Sequence, residues 1–341
     1  MKTFISIIIG FVLFANMAVA QMTTFSQGDI LSAGAMNQNF NHLQNQFGLN
    51  KTEVDCSSDN LTQKINQGFN HIVLNGNCSM KNLFLGNLDI SSFCGYSQST
   101  KGIDKLIISG KTGISDDSIT INGTDNCDGL STMDGGQLFL ENLTVNSNKI
   151  TANSNSMIRM FNVNVTGSGD QQIGTQRNGH INMENVTSTH HMYAESGSMF
   201  FMKNVTSKEL TAERNATIEG DNVTATKLYV TGNSFTEFKN LTIDCSSNRA
   251  ACIEAYYGST IRLEDSTITG HSDVYTIYMF RSTLDLKTST INSSRSDGPS
   301  VTIDNSYINA GGGGTTIQGQ IQCSRNGFGY FESSHTTDGC N

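Results

Sequence analysis

The chain has no tryptophan, no Cys-x-x-Cys pair, no basic excess, and no apolar run of bilayer length beyond its first two dozen residues. Each absence removes a class. With 21 Lys and Arg against 30 Asp and Glu, the formal charge is −9. Nucleic acid, which is bound by cations that displace counterions, is therefore not an expected partner. An unassisted anionic membrane surface is disfavoured for the same reason. The eight cysteines lack metal-ligand spacing, and no histidine supplies it. Disulfides are expected in place of zinc, with no metal and no cofactor. The missing indole also removes the strongest sugar-stacking side chain.

What is present starts with "MKTFISIIIGFVLFANMAVAQ". Lys2, an apolar run from Phe4 to Phe14, and Ala18-Val19-Ala20 have the form of a secretory signal cleaved after Ala20. That run is short for a bilayer span, and no later stretch could cross one, so a secreted or cell-surface chain is expected. In such a compartment the cysteines can pair as neighbours: Cys56–Cys78, Cys94–Cys127, Cys245–Cys252 and Cys323–Cys340. That is the most local of 105 connectivities, and sequence leaves the others open.

Internal repetition governs the rest. Asn142, Asn162, Asn185, Asn204, Asn222 and Asn240, continued by Asp265, Thr288 and Asn305, recur at intervals of 17 to 25 residues. Counting back twelve residues from the first seven anchors always reaches an apolar side chain: Leu130, Ile150, Ile173, Met192, Leu210, Leu228 and Ile253. Four before, two before and one after the anchor are further columns, nearly all apolar. Period-two alternation is the mark of a strand, and helical spacing fits none of these columns. Short strands that cannot bury an apolar side alone, repeated at this interval, predict a solenoid of three-stranded coils. Asparagine suits its corner because it tolerates left-handed backbone angles and its amide can bond the next coil. The repeated Asn-x-Thr is accordingly expected to be a structural ladder, with glycosylation depending on the host.

These columns resemble the right-handed parallel β-helix of pectin-lyase-like proteins. "DCSSDNLTQKINQGFNHIVLNGNCSM" looks like that family's entry of short helix, glycine and first strand. Leu61, Ile65 and Phe69 would plug the open end of the rod. The resemblance implies an all-β chain with 10–12 coils, about 4.8 Å each. Segments are expected at 1–20 (signal), 21–52 (helical or coiled-coil), 53–322 (β-helix) and 323–341 (C-terminal cap). In the second of these, Ala33, Met36, Phe40, Leu43 and Phe47 form a 3-4-3-4 seam. It predicts either an amphipathic helix against the rod or self-association as a homotrimer. Its F-x-x-G-D-x-L-x-A-x-x-x-N segment resembles those that begin fibre- and tailspike-like surface proteins.

Fold alone leaves function open. Outward positions of the first strand of each coil collect Tyr193, Tyr229, Tyr256, Tyr278 and Phe280 beside Arg177, Arg214, Glu195 and Glu213. Such a face can stack on sugar rings while its charged groups hold hydroxyls or carboxylates. Equally, tyrosines can stack on themselves and the charges can form a ladder. Glu195 and Glu213, in adjacent coils, are the catalytic candidates by analogy with paired glycosidase carboxylates. The pectin-cutting hydrolases of the resembling family imply a motif set that this chain lacks: Asp116-Asp117 and Gly179-His180 are far apart, with Ile181 in place of a second glycine. His190-His191 is expected on a surface loop. The expected function is extracellular binding or adhesion toward glycans or a partner surface; a polysaccharide lyase or glycoside hydrolase is the alternative.

Overall fold

The computed structural model describes residues 50–86, 104–122, 129–167, 172–247, 250–293, 295, 298–311, 313–331 and 337–340. The signal segment, the seam from Ala33 to Phe47 and the Cys94–Cys127 pair lie outside the described residues.

The chain forms a parallel β-solenoid of three-sided coils. One 12-stranded sheet makes the first face, and an 18-stranded sheet that bends along its length makes the second and third. The apolar columns are the cause. Ile150, Ile173, Met192, Leu210, Leu228 and Ile253 pair in register down the first face, and each is fully buried. Leu138, Ile158, Ile181, Phe200 and Ile218 do the same on the second. Because side chains alternate across a strand, every second residue fills the core and its neighbours face out.

Second and third faces are often one strand with a corner. Met157–Thr166 pairs with its neighbour up to Phe161 and resumes at Val163. The skipped residue, Asn162, has φ 54°, and Asn142, Asn185, Asn204, Asn222 and Asn240 lie between 53° and 56°. Left-handed angles cost L-residues about 1–2 kcal/mol, asparagine least among those with a side chain. The amides also bond coil to coil: Asn162 Nδ2 donates to Asn142 Oδ1 (3.0 Å), Asn204 to Asn185 and Asn222 to Asn204 (both 2.8 Å). Asn240 departs from the line and donates to Asp221 (3.0 Å).

Asn305 corrects the expected series. It stands at the corner that ends the first face, next to Arg281, because Phe280 pairs with Asp304. Its φ of 48° belongs to that second row of corners. Spacing placed it wrongly because the loop lengths vary. Buried small residues line the same side: Ser156, Ser198, Ser234, Ser259, Ser282 and Ser306 are all at most 6% exposed. Their hydroxyls satisfy one another and the backbone, as in Thr175 Oγ1 to Ser198 (2.7 Å) and Ser282 N to Ser306 (3.0 Å).

The ends differ from the expected boundaries. Lys51–Asp55 is a strand paired with His71–Asn75, so the solenoid begins before residue 53 and Lys51-Thr52 are not helical. Helix α1 (Leu61–Asn66) follows, with Asn60 accepting from Gln63 N at 3.0 Å. Leu61 and Ile65 are buried and Phe69 packs against the core, closing the first coil. At the other end, the repeat continues into 323–341 where a separate cap was expected. Phe328–Phe331 pairs with Tyr307–Ala310, and Thr337–Asp338 pairs with Ile321–Gln322. Disulfides join Cys56–Cys78, Cys245–Cys252 and Cys323–Cys340. Such bonds persist in oxidising compartments. Among the described residues no helix is long and apolar enough to cross a membrane.

Candidate functional site

The expected aromatic residues meet on the first face. Tyr229, Glu254 and Tyr278 share one outward line, while Tyr256 and Phe280 share the line two residues on. The rings therefore interleave diagonally. Tyr229 and Tyr256 have centroids 5.7 Å apart, as do Tyr256 and Tyr278. Tyr257 meets Phe280 edge-on at 5.6 Å, and Tyr275 lies 6.0 Å from Tyr278. These separations suit aromatic pairs. Tyr257 is the most open ring of the patch, 57% exposed, because it occupies a corner with φ 51°.

Cations frame the patch. Lys227 lies 5.9 Å from the Tyr229 ring and pairs with Glu254 at 2.8 Å. Arg281 and Arg325 lie 5.0 and 5.8 Å from the Phe280 ring. Arg325 also pairs with the buried Asp304 at 2.5 Å. Tyr275 and Arg325 were not anticipated as neighbours of this patch. Tyr275 lies in a variable loop and Arg325 beyond the last aligned coil of the sequence, so neither belongs to a readable column.

Tyr193 sits apart from the row, in a charged group two coils away. Its hydroxyl donates to Glu213 Oε2 at 3.1 Å. Glu195 forms an ion pair with Arg214 and accepts from Gln176 Nε2 at 3.1 Å. Glu195 and Glu213 pair in register in adjacent strands, and each is engaged by a neighbouring donor. Arg177 occupies the corner one coil before, with φ 51°. Burial and nearby carboxylates hold the phenols of Tyr193, Tyr229 and Tyr256 above the ordinary tyrosine value; for Tyr278 burial and Asp304 do so. All four are neutral at physiological pH, and so offer rings and hydroxyls.

Asp117 is structural. Almost fully buried, it accepts from Gly76 N (2.8 Å), Thr112 N (2.6 Å), Thr112 Oγ1 (2.9 Å) and Gly113 N (3.0 Å). Burial alone would raise its pKa; the four donors outweigh it and hold the carboxyl below the usual range. His190 corrects the surface-loop expectation. It is fully buried, with Nε2 2.6 Å from Ser147 O, 43 residues earlier. Burial lowers its pKa, whereas His191 points out toward Glu209 (3.0 Å). Among the described residues no group of three metal-ligating side chains converges.

No protein-family model, no curated protein and no solved structure matches this chain.

Proposed function

We propose that this protein is an extracellular binding or adhesion rod that presents the aromatic row of its first face to glycans. The contiguous ladder from Tyr229 through Tyr256 to Tyr278, edged by Tyr257 and Phe280, carries this reading. Half-buried rings held by a rigid sheet lose little freedom on binding, and their spacing lets one extended chain contact several in turn. Lys227, Arg281 and Arg325 stand where hydroxyls or carboxylates of a bound saccharide would lie.

The finer elements are part of the same proposal. The coils wind right-handed, as parallel crossovers overwhelmingly do, in the manner of pectin-lyase-like proteins. The chain is exported by its first 20 residues and associates as a homotrimer through residues 25–47, which would multiply weak single-site contacts.

A glycan array combined with reducing-sugar release from pectin and alginate tests this function. Binding without release is expected. Replacing Tyr229, Tyr256 or Tyr278 by Ala should weaken binding about fivefold per ring, at about 1 kcal/mol each. Sugar release abolished by Glu195→Gln or Glu213→Gln would instead show a polysaccharide lyase or hydrolase. Binding unchanged in the triple Ala variant would remove the aromatic row from function.

A further inference from the structure

The third face carries a feature that the aromatic row does not explain. One outward column is threonine in consecutive coils: Thr187, Thr206, Thr224, Thr242, Thr267, Thr290 and Thr316 pair in register. Ser118, Thr144 and Asn164 extend it toward the N-terminus. No charge interrupts this column. No hydrogen bond within the described residues engages any of the seven hydroxyls from Thr187 to Thr316, and all but Thr290 are exposed. The line two residues on continues in kind with Asn146, Thr166, Thr226, Thr269 and Asn292, broken by Lys208 and Asp244.

Strand propensity favours threonine on any exposed sheet, but it would act on all three faces alike. The register-matched outward column of the first face runs Tyr193, Thr211, Tyr229, Glu254, Tyr278. That of the second runs Asn182, Phe201, Glu219, Glu237, Arg262. Among the described residues only the third repeats a single side chain, through seven coils. Glycosylation does not account for it either. Asn185, Asn204, Asn222 and Asn240 make Asn-x-Thr with their threonines, but Thr267, Thr290 and Thr316 follow Asp265, Thr288 and Gly314. The threonine persists where the sequon is lost.

The chemistry of the column narrows its partner. Saccharide recognition uses aromatic faces and charged forks, and protein interfaces use aromatic and arginine anchors. The column has none of these. It offers uncharged hydroxyl and methyl groups about 4.8 Å apart from coil to coil, and the second, interrupted line of mostly polar residues runs about 6.7 Å beside it. β-Branching restricts each χ1, so the groups are held with little freedom left to lose. A rigid, periodic, uncharged array complements a periodic surface built from a small hydrogen-bonding molecule. Hexagonal ice is such a surface, and its oxygens repeat on spacings close to these. We propose that the threonine face binds ice.

The test uses the full mature chain from a host that adds no N-glycans. Thermal hysteresis is measured together with partition of the protein into slowly grown ice. Wild type is expected to open a gap between melting and freezing and to enter the ice. The double variant Thr206→Lys/Thr224→Lys, checked for unchanged far-UV circular dichroism, is expected to lose both signals; Thr242→Lys alone serves if the double variant misfolds. Tyr229→Ala/Tyr278→Ala should retain both, which separates this face from the glycan reading. A wild type with no hysteresis that is excluded from ice would overturn the proposal. So would a lysine variant with undiminished activity. Lysines that change only the sedimentation of the chain would also overturn it, assigning the face to a second copy.

Discussion

Asn204 separates the two reasons why asparagine occupies the corners. Its φ of 53° lies in the left-handed region, and strand pairing passes from Lys203 to Val205 without it. Its side chain donates to Asn185 Oδ1 and accepts from Asn222 Nδ2, both at 2.8 Å. Replacement by Ala keeps a Cβ in the unfavourable region and removes both bonds. Exposed bonds that water can replace are worth about 0.5 kcal/mol each, the low end of the usual range. The backbone term adds about 1 kcal/mol, because alanine lacks the local bonding that eases asparagine there. The sum is about 2 kcal/mol. Asn204→Gly loses the same bonds, but glycine is also free of the left-handed strain that asparagine itself carries, which offsets its larger unfolded-state entropy, so it should cost about 1 kcal/mol. Urea unfolding followed by circular dichroism reads both variants, provided the denaturant slope is unchanged. Neighbouring coils share stability in a solenoid, so hydrogen exchange at Val205 should report the same order locally. A glycine variant as unstable as the alanine variant would refute the backbone argument. Two variants indistinguishable from wild type would refute the ladder as well.

Two further outcomes follow from packing and charge. Gly220→Ala would ordinarily stabilise an extended strand, but here the new Cβ would lie 2.8 Å from both Phe238 Cδ1 and Val223 Cγ2. The expected cost is about 1–3 kcal/mol, partly recovered by Phe238→Leu in the same chain; a stabilised single variant in thermal unfolding would contradict this packing. The lowered pKa of Asp117 means that the native state holds fewer protons than the unfolded chain as acid is added. Its contribution is complete above about pH 4 and lost as pH falls through the lowered folded value. Asp117→Asn should cost about 2 kcal/mol at neutral pH and flatten the acid limb of stability against pH; an unchanged limb would locate the acid sensitivity elsewhere.

Much of this molecule is local and so was legible. Alternation of period two depends only on neighbouring side chains, so the inward columns from Leu130 to Ile253 could be aligned before any coil was seen. The corner asparagines were legible for the same reason, since a left-handed residue leaves its mark at one position. The tyrosines on the first face followed from the same alignment. Loop length broke the alignment: once it varied, counting could not tell which corner a residue served, and Asn305 went to the wrong one.

Other features exist only between coils. His190 is buried because its ring reaches Ser147, 43 residues earlier, a contact with no periodic trace. Arg325 joins Phe280 and Asp304 from a segment whose own pattern did not announce another coil. Glu195 and Glu213 resemble a catalytic pair in one dimension, but Arg214, Gln176 and Tyr193 meet their oxygens in three. The threonines after each asparagine are visible in the sequence; that they form one uncharged column on one face depends on the register of coils of unequal length. Side-chain direction along a strand is set by the chain itself, whereas what lies opposite a side chain is set by stacking, and only the folded solenoid brings those partners together.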